Sequence, residues 1–212
     1  MILLWYLCGI AGGYLIGNLN TAALLARHRG FDIRSQGSHN AGASNALVTM
    51  GKGAAICSGL VDILKCFVPV FLLLHVFTLP EGCTQLPVVT GIAVILGHMY
   101  PFWLQFRGGK GFASLLGLAL GLDWRFFLAG VLIVAAFLLT VRYIVFATIT
   151  CSVLLPAAWY WKSGDLIGAL LLAALAVLII SKHIVNLRRI KNGTEIKFGE
   201  KKKAEQPPAD GA

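Results

Sequence analysis

The chain has 212 residues, of which 58% are hydrophobic and only 13% are charged, and its mean hydropathy is +0.79. Soluble globular domains carry about 25% charged residues, and a chain of this length has too small an interior to hide so many apolar side chains from water. These proportions exclude a soluble domain and predict a protein embedded in lipid. The net charge of +9 then indicates cytoplasmic loops and contacts with anionic lipid headgroups, so no nucleic acid partner is expected.

Six apolar runs are long enough to cross a bilayer, which requires about 20 helical residues. These runs cover residues 2–25, 54–79, 87–105, 126–141, 143–161 and 165–182. The run 112–122 covers only about 17 Å as a helix, so it is either a short seventh span or a re-entrant segment. Counting it as a span collects most Lys and Arg residues on one side, as the positive-inside rule requires. The sequence therefore predicts an all-α integral membrane protein with seven transmembrane helices, the N-terminus outside and the C-terminus in the cytoplasm.

The chain shows no domain boundary and no internal repeat before its polar tail. Residues 1–196 are therefore predicted to form one seven-helix membrane domain. Residues 197–212 contain three consecutive lysines and two consecutive prolines, a composition typical of disordered segments. We expect a disordered polybasic cytoplasmic tail, which orients the protein and contacts lipid headgroups.

The first polar segment, residues 32–45, lies on the predicted cytoplasmic side and is rich in Gly, Asn and Ser. Such residues favour compact loops whose backbone N–H groups converge on an anion. The same composition is typical of an ordinary solvated turn, which is the more frequent outcome for composition alone. Both interpretations stay open on the residues of this segment.

The second polar segment, residues 97–111, joins two apolar runs and ends in the sequence GGKG. Glycines let the backbone approach a ligand closely, and the start of the next helix offers N–H groups without intrahelical partners. Lys110 adds a positive charge. Together these features predict a phosphate site, with a spacing that differs from a Walker loop. A flexible turn with one anchoring lysine explains GGKG alone equally well.

The third polar segment, residues 183–195, follows the last apolar run. If the last helix continues, His183 and Asn186 lie three residues apart on one face, where the imidazole can move a proton. A histidine near lipid headgroups also occurs without any function. Arg142 and Thr148 add a charge and a hydroxyl on a helix rising from the same side, although a lone threonine usually bonds to its own helix backbone.

Asp62 and Lys65 are charged residues within a predicted span, spaced three apart. Charges inside a membrane are functional candidates by default, yet this spacing lets the two neutralise one another. A structural ion pair and a functional pair are therefore equally consistent with the sequence.

Taken in chain order, these segments resemble the bacterial membrane-bound glycerol-3-phosphate acyltransferases that use acyl phosphate as donor. The resemblance rests on GSHNAGASN at 37–45, LGHMYPFWLQFRGGKGFAS at 96–114, HIVNLRRIKNGTE at 183–195 and DILK at 62–65. It implies a seven-helix acyltransferase domain with three cytoplasmic motif loops that form one site. It also implies transfer of an acyl chain to the sn-1 hydroxyl of glycerol 3-phosphate, giving lysophosphatidic acid and phosphate, in phospholipid biosynthesis.

The resemblance assigns roles to the residues that match the family's motifs. Catalytic roles are implied for Ser38, Lys110, His183 and Asn186. Substrate binding is implied for Asn45, Gly108, Gly109, Gly111, Thr148 and Glu195. Thr148 stands where the family usually has serine, a change that keeps a hydroxyl.

Two places depart from the family pattern. Val48 stands where similar sequences have an arginine that contacts phosphate, and the residues 17–21 replace a Gly-Ser-Ile-Pro-like turn. Losing a charge-assisted contact weakens an interaction by about 1.5–3 kcal/mol, so a catalytically weakened homologue is one alternative. An anion transporter is another, although its site would be expected near the bilayer midplane and not at one surface.

The resemblance implies acyl phosphate and glycerol 3-phosphate as substrates, bound at the cytoplasmic face of the bacterial inner membrane. It also implies transient contact with a soluble enzyme that makes acyl phosphate. No cofactor is expected, because acyl phosphate is already activated. No metal is expected either, because the histidines do not have ligand spacing.

Overall fold

The computed structural model describes residues 1–200, and within this range the chain forms nine α helices. They are α1 (Ile2–Gly17), α2 (Thr21–His28), α3 (Ala43–Met50), α4 (Lys52–Phe71), α5 (Leu86–Met99), α6 (Phe112–Leu122), α7 (Trp124–Thr140), α8 (Ile144–Ser163) and α9 (Leu166–Lys191). Two 3-10 turns, Ile33–Ser35 and Phe102–Leu104, lie in the connections, and a π-helical turn, Leu72–Val76, extends α4. The predicted all-α class is confirmed, while the greater part of the predicted tail, from residue 201, lies outside the described residues.

Among residues 1–200, five helical segments are long and apolar enough to cross a membrane. They are Ile2–His28, Lys52–Val76, Leu86–Leu104, Ile144–Ser163 and Leu166–Lys191. The apolar helices α6 and α7 are shorter, with 11 and 17 residues. The chain is therefore a multi-pass membrane protein, and the count of seven spans and their orientation stay predictions.

The first apolar segment, Ile2–His28, contains a break after Gly17 that divides it into α1 and α2. Asn20 has an extended backbone, and its Oδ1 accepts a hydrogen bond from the Ala23 amide at 2.9 Å, which starts α2. The Asn20 Nδ2 donates to the Ala41 carbonyl at 2.8 Å. One buried asparagine thus both begins a helix and fixes the turn against the first polar segment.

Helix α5 lies at the centre of the bundle, where it contacts α1, α4, α6 and α9. Two glycines let α1 and α5 approach backbone to backbone. A Cβ on Gly17 would lie 2.1 Å from the Val94 carbonyl oxygen, and a Cβ on Gly97 would lie 2.1 Å from the Tyr14 carbonyl oxygen. Small residues allow such close packing between membrane helices.

The three polar segments gather at one end of the bundle, which we call the motif end. It comprises the α2–α3 connection, the α5–α6 connection, and the C-terminal part of α9 with the residues after it. The Arg34 Nη1 donates to the Leu104 carbonyl at 2.6 Å, which ties the first connection to the second. The Phe102 amide donates to Asn18 Oδ1 at 2.9 Å, which ties the second connection to the turn after α1.

Candidate active site

The second and third polar segments meet through three side chains. Lys110 Nζ donates a hydrogen bond to Asn186 Oδ1, and Asn186 Nδ2 donates to Glu195 Oε1. Helix α9 continues to Lys191, well beyond the predicted end of the span at residue 182, and it carries His183 and Asn186 as buried residues. The structure thus brings the predicted lysine, asparagine and glutamate together in one site.

The Lys110 side chain is a half-buried cation with charged neighbours of both signs. Burial lowers the pKa of the Lys110 ammonium to about 8, an effect that Glu195 opposes and Arg189 reinforces. An anionic ligand close to Nζ favours the charged form. Lys110 is therefore suited to bind phosphate, and its charge changes with pH near its pKa of about 8.

Arg189 is a residue of this site that the sequence reasoning did not single out. Its carbonyl accepts hydrogen bonds from the amides of Thr194 at 2.8 Å and Glu195 at 3.3 Å, which turns the chain back after α9. Its charge acts on Lys110. The spacing of three residues from Asn186 was the available signal, because residues three apart share a helix face.

The glycines of GGKG are required by close packing against His98. The Gly108 amide donates to the Met99 carbonyl and the Gly109 amide donates to the His98 carbonyl, both at 3.1 Å. A Cβ on Gly109 would lie 2.0 Å from His98 Nε2, and one on Gly108 would lie 2.1 Å from the His98 carbonyl oxygen. These two amides are therefore paired within the loop, and the phosphate-binding role implied for both glycines stays a prediction.

The start of α6 offers backbone donors that are better placed for an anion. Gly111 has φ +87°, a left-handed conformation that favours glycine, and it precedes the first residue of α6, Phe112. The first turn of any α helix has N–H groups without intrahelical partners, and the helix dipole favours negative charge there. Lys110 lies beside this turn, so its positive charge and these backbone amides can contact the same anion.

His183 is held in a defined tautomer. Its Nδ1 lies 2.9 Å from the Ile179 carbonyl oxygen, and a carbonyl only accepts, so Nδ1 carries the proton in the neutral ring. The lone pair is then on Nε2. His183 is therefore a buried imidazole with a defined acceptor nitrogen, and the catalytic role implied for it stays a prediction.

Thr148 is a buried residue near the start of α8. Its Oγ1 donates to the Ile144 carbonyl at 3.1 Å, which is the local bond expected of a threonine within a helix. The hydroxyl oxygen retains the capacity to accept a hydrogen bond. The substrate-binding role implied by the resemblance stays a prediction.

Asn45 organises the first polar segment. Its Oδ1 accepts from the Ser38 amide at 2.8 Å, and its Nδ2 donates to the carbonyls of Ile33 at 2.9 Å and Gln36 at 3.0 Å. Gly37 has φ +63°, and a Cβ there would lie 2.2 Å from the Asn45 Oδ1. The fully buried Asn45 amide is therefore directed to the loop that carries Ser38, and substrate binding by Asn45 and Ser38 stays a prediction.

The first segment lies next to the glycine loop. A Cβ built on Gly42 would lie 4.0 Å from the Gly109 Cα, and Arg34 is hydrogen-bonded to the Leu104 carbonyl. All three polar segments are thus neighbours at the motif end, as one shared site requires.

A buried ionic cluster lies beneath the glycine loop. Asp62 Oδ1 lies 2.7 Å from Lys65 Nζ and 3.2 Å from His98 Nδ1. Lys65 Nζ also donates to the Leu19 carbonyl at 2.7 Å and to the Gly17 carbonyl at 3.1 Å. The cluster joins the turn after α1 to His98, and His98 in turn packs against Gly109. His98 therefore supports the glycine loop.

Replacing Lys65 by Met is expected to lower the free energy of unfolding by about 3–5 kcal/mol, because it leaves the Asp62 carboxylate buried without its main partner. The double variant Asp62→Leu with Lys65→Met should recover most of that loss, since a neutral apolar pair removes the unpaired charge. Thermal unfolding of the detergent-purified proteins checks both. Equal stability of the single variant and the parent would contradict a stabilising role for the cluster.

Known proteins are similar to this chain in sequence and in fold. A sequence profile of the family described as glycerol-3-phosphate acyltransferase matches residues 7–193. The glycerol-3-phosphate acyltransferase of Geotalea daltonii is 39% identical over 191 residues, which cover 89% of this chain and 95% of the relative. That of Mesorhizobium japonicum is 38% identical over 190 residues, with coverage of 89% and 94%.

Two crystal structures of PlsY (YgiH), an integral membrane glycerol 3-phosphate acyltransferase, have a similar fold. The glycerol 3-phosphate form has a TM-score of 0.83 at 29% identity, and the match covers 92% of this chain and 96% of PlsY. The lysophosphatidic acid form has a TM-score of 0.78 at 30% identity, with coverage of 92% and 95%. The match in sequence and in fold extends over nearly the whole chain, and the chain belongs to the glycerol-3-phosphate acyltransferase family of integral membrane proteins.

Proposed function

We propose that this chain transfers a fatty acyl group from acyl phosphate to the sn-1 hydroxyl of glycerol 3-phosphate. The products are lysophosphatidic acid and inorganic phosphate, formed at the cytoplasmic face of the bacterial inner membrane as a step of phospholipid biosynthesis. The observation that carries the proposal is the contact of Lys110 with Asn186, next to the start of α6. The glycerol 3-phosphate and lysophosphatidic acid forms of PlsY support the same substrate and product here.

In this reaction the substrate hydroxyl oxygen attacks the acyl carbonyl carbon, and the bond from that carbon to the phosphate oxygen breaks. Phosphate is a good leaving group, so the protein contributes mainly by holding two anionic headgroups in register. Such positioning can contribute about 7–11 kcal/mol in well-oriented systems. We assign one phosphate to Lys110 and the N-terminal amides of α6, because point charge and helix dipole add there.

The hydroxyl proton has two candidate acceptors. His183 Nε2 is one, because the bond from Nδ1 to the Ile179 carbonyl leaves its lone pair available. A phosphate oxygen of a substrate is the other. A base must lie within hydrogen-bond reach of the proton that it accepts. A large loss of kcat in a His183→Gln variant would assign the proton to His183, and an unchanged kcat would assign it to a phosphate oxygen.

The acyl chain has an apolar cleft available between α6, α7 and α8. Its lining includes Leu115, Ala119, Gly130, Cys151 and Leu155. Leu115 lies one helical turn after Gly111, and Cys151 lies about one turn after Thr148, so the cleft begins just below the proposed phosphate site. We propose that the donor chain lies there, with its headgroup next to the glycerol 3-phosphate that Lys110 binds.

The test uses the purified protein in nanodiscs with labelled glycerol 3-phosphate and palmitoyl phosphate. We expect labelled lysophosphatidic acid with this donor, and none when palmitoyl-CoA or palmitoyl acyl carrier protein replaces it. Absence of product from well-folded protein would remove the enzymatic proposal. Product from the thioester donors alone would remove the acyl-phosphate assignment.

The same purified protein, assayed in nanodiscs and in liposomes, decides between the two alternatives. Val48 lies on α3 with 42% of its surface exposed, so the Val48→Arg variant can introduce the charge that similar sequences carry. A large gain in rate for this variant would favour a weakened enzyme. Uptake of labelled phosphate into liposomes, without acyl transfer, would favour an anion transporter.

Acyl transfer is expected to be unchanged by EDTA, because the proposed chemistry uses an activated donor and the charge of Lys110 in place of a Lewis acid. The measurement compares initial rates before and after chelation and dialysis. A loss of activity that added divalent metal reverses would contradict this account.

A further inference from the structure

The residues after α9 form a strap, residues 192–200, which runs from the candidate site to the turn between α7 and α8. The strap begins at Asn192 and Gly193, where Gly193 has φ +69°, and it is pinned by the bonds of Thr194 and Glu195 to the Arg189 carbonyl. Its far end makes a set of hydrogen bonds with a single residue, Arg142. The strap is thus held on both sides of Glu195.

Arg142 holds the strap through backbone and side chain together. The Phe198 amide donates to the Arg142 carbonyl at 2.8 Å. The Arg142 guanidinium donates to the Phe198 carbonyl from Nε at 3.2 Å and from Nη2 at 2.9 Å. Lys197 Nζ also lies 6.0 Å from the ring centre of Tyr143. Sequence reasoning identified Arg142 as a charge on the same side as the polar segments, and the structure directs its guanidinium to the Phe198 carbonyl.

The backbone of Arg142 gives a second, independent reason to assign it a role. It follows the end of α7, donates its amide to the Phe137 carbonyl at 2.8 Å, and has φ +62°. Glycine is the usual residue at such a left-handed helix end, and other residues are strained there. An arginine at this position is not explained by helix termination, whereas its side-chain bonds to Phe198 explain it.

We propose that Arg142 is a positioning residue for the reaction: by holding Phe198, it keeps Glu195 against Asn186 and thereby fixes Lys110. This inference rests on the proposed function only for its kinetic consequence. The physical connection runs from Arg142 to Phe198 and then along the backbone of the strap to Glu195. From there it runs to Asn186 and from Asn186 to Lys110.

The key variant is Arg142→Gly, because glycine relieves the left-handed backbone while removing the guanidinium. We expect an unchanged or higher thermal unfolding midpoint, with a rise of about tenfold in the KM for glycerol 3-phosphate, as for loss of one charge-assisted hydrogen bond. Arg142→Lys should raise the KM similarly, since lysine keeps the charge but lacks the guanidinium fork. Phe198→Pro lacks the N–H group that donates to the Arg142 carbonyl. Phe198→Ala retains both backbone groups and is its matched control.

A double variant separates positioning from general damage. In a Glu195→Ala parent, which lacks the acceptor for the Asn186 Nδ2 group, Arg142→Gly should raise the KM no further, because both changes break the same connection. Fully additive effects, or kinetic loss that follows a lower unfolding midpoint, would overturn the inference.

Hydrogen exchange tests the inference without turnover, so a failure of the proposed function stays distinguishable. Exchange in Arg142→Gly should be about tenfold faster in residues 192–196 and also in the Lys110 loop, residues 109–113, as for loss of one charge-assisted hydrogen bond. Faster exchange in the strap with an unchanged Lys110 loop would overturn the connection. Lack of lysophosphatidic acid from the parent protein would instead overturn the proposed function.

Discussion

Replacing Lys110 by Met is expected to lower kcat/KM for glycerol 3-phosphate by about 100-fold or more, because it removes a charge-assisted contact to phosphate from a partly buried site. Lys110 contacts Asn186 at the centre of the proposed site. The unfolding midpoint should change little, since burial opposes the charge on Lys110 in the free protein. Steady-state kinetics and thermal unfolding measured on the same preparation check both parts.

The matched control for this variant is Lys191→Met, which removes the same charge from an exposed residue at the same end of the protein. It should retain activity within about threefold, since exposed charges are screened by salt. Equal losses in the two variants would mean that general surface charge, and not a site at Lys110, attracts the substrate.

The same lysine predicts the response to pH. Because the pKa of Lys110 is lowered to about 8, the ammonium is charged below that pH and becomes neutral as the pH rises through it. We expect kcat/KM to fall above pH about 8, whereas kcat falls only at higher pH, since bound phosphate favours the charged lysine. Glu195 raises this pKa and Arg189 lowers it, so Glu195→Gln should move the fall in kcat/KM to lower pH.

Gly109→Ala is expected to have the second large effect, a loss of activity of about 100-fold together with a destabilisation of about 1–3 kcal/mol from overpacking. The added Cβ would lie 2.0 Å from His98 Nε2 and 2.6 Å from its Cε1, so either the ring or the loop beside Lys110 must move. Kinetics and the unfolding midpoint measure the two consequences. Parent-like activity would show that the position of this loop does not limit the reaction.

Gly53→Ala is the control for this substitution. Gly53 lies in the first turn of α4, and a Cβ there would meet nothing within 4 Å. Alanine favours helix over glycine by about 0.5–1 kcal/mol, so this variant should be neutral or slightly more stable. The contrast separates the effect of the contact with His98 from a general effect of removing glycine.

Local sequence patterns were sufficient to predict which polar segments lie together at the motif end. The polar segments interrupt long apolar runs, and this contrast determines which residues lie at helix ends. The spacing of His183 and Asn186 predicted their common orientation on a continuing helix, and α9 does continue to Lys191. Lys110 was identified for the same reason, because a basic residue next to a glycine-rich helix start is itself a local signal.

The partners of each polar group could not be predicted from such patterns. The Gly108 and Gly109 amides looked available for phosphate, but they are paired with carbonyls at the end of α5. Asn45 likewise bonds to its own loop. The bond from Arg142 to Phe198 joins residues 56 apart in sequence, and no periodicity of the chain encodes it. Such pairings follow from helix packing, which places distant backbone groups within hydrogen-bond reach.

We propose that this site transfers the acyl group directly from acyl phosphate to glycerol 3-phosphate. The most direct test measures inorganic phosphate and lysophosphatidic acid in the same reaction, with the parent protein and with Lys110→Met. The account predicts one phosphate released for each lysophosphatidic acid formed, and loss of both products together in the variant. Lysophosphatidic acid formed without equal phosphate release, or phosphate release that persists in Lys110→Met at the parent rate, would contradict it.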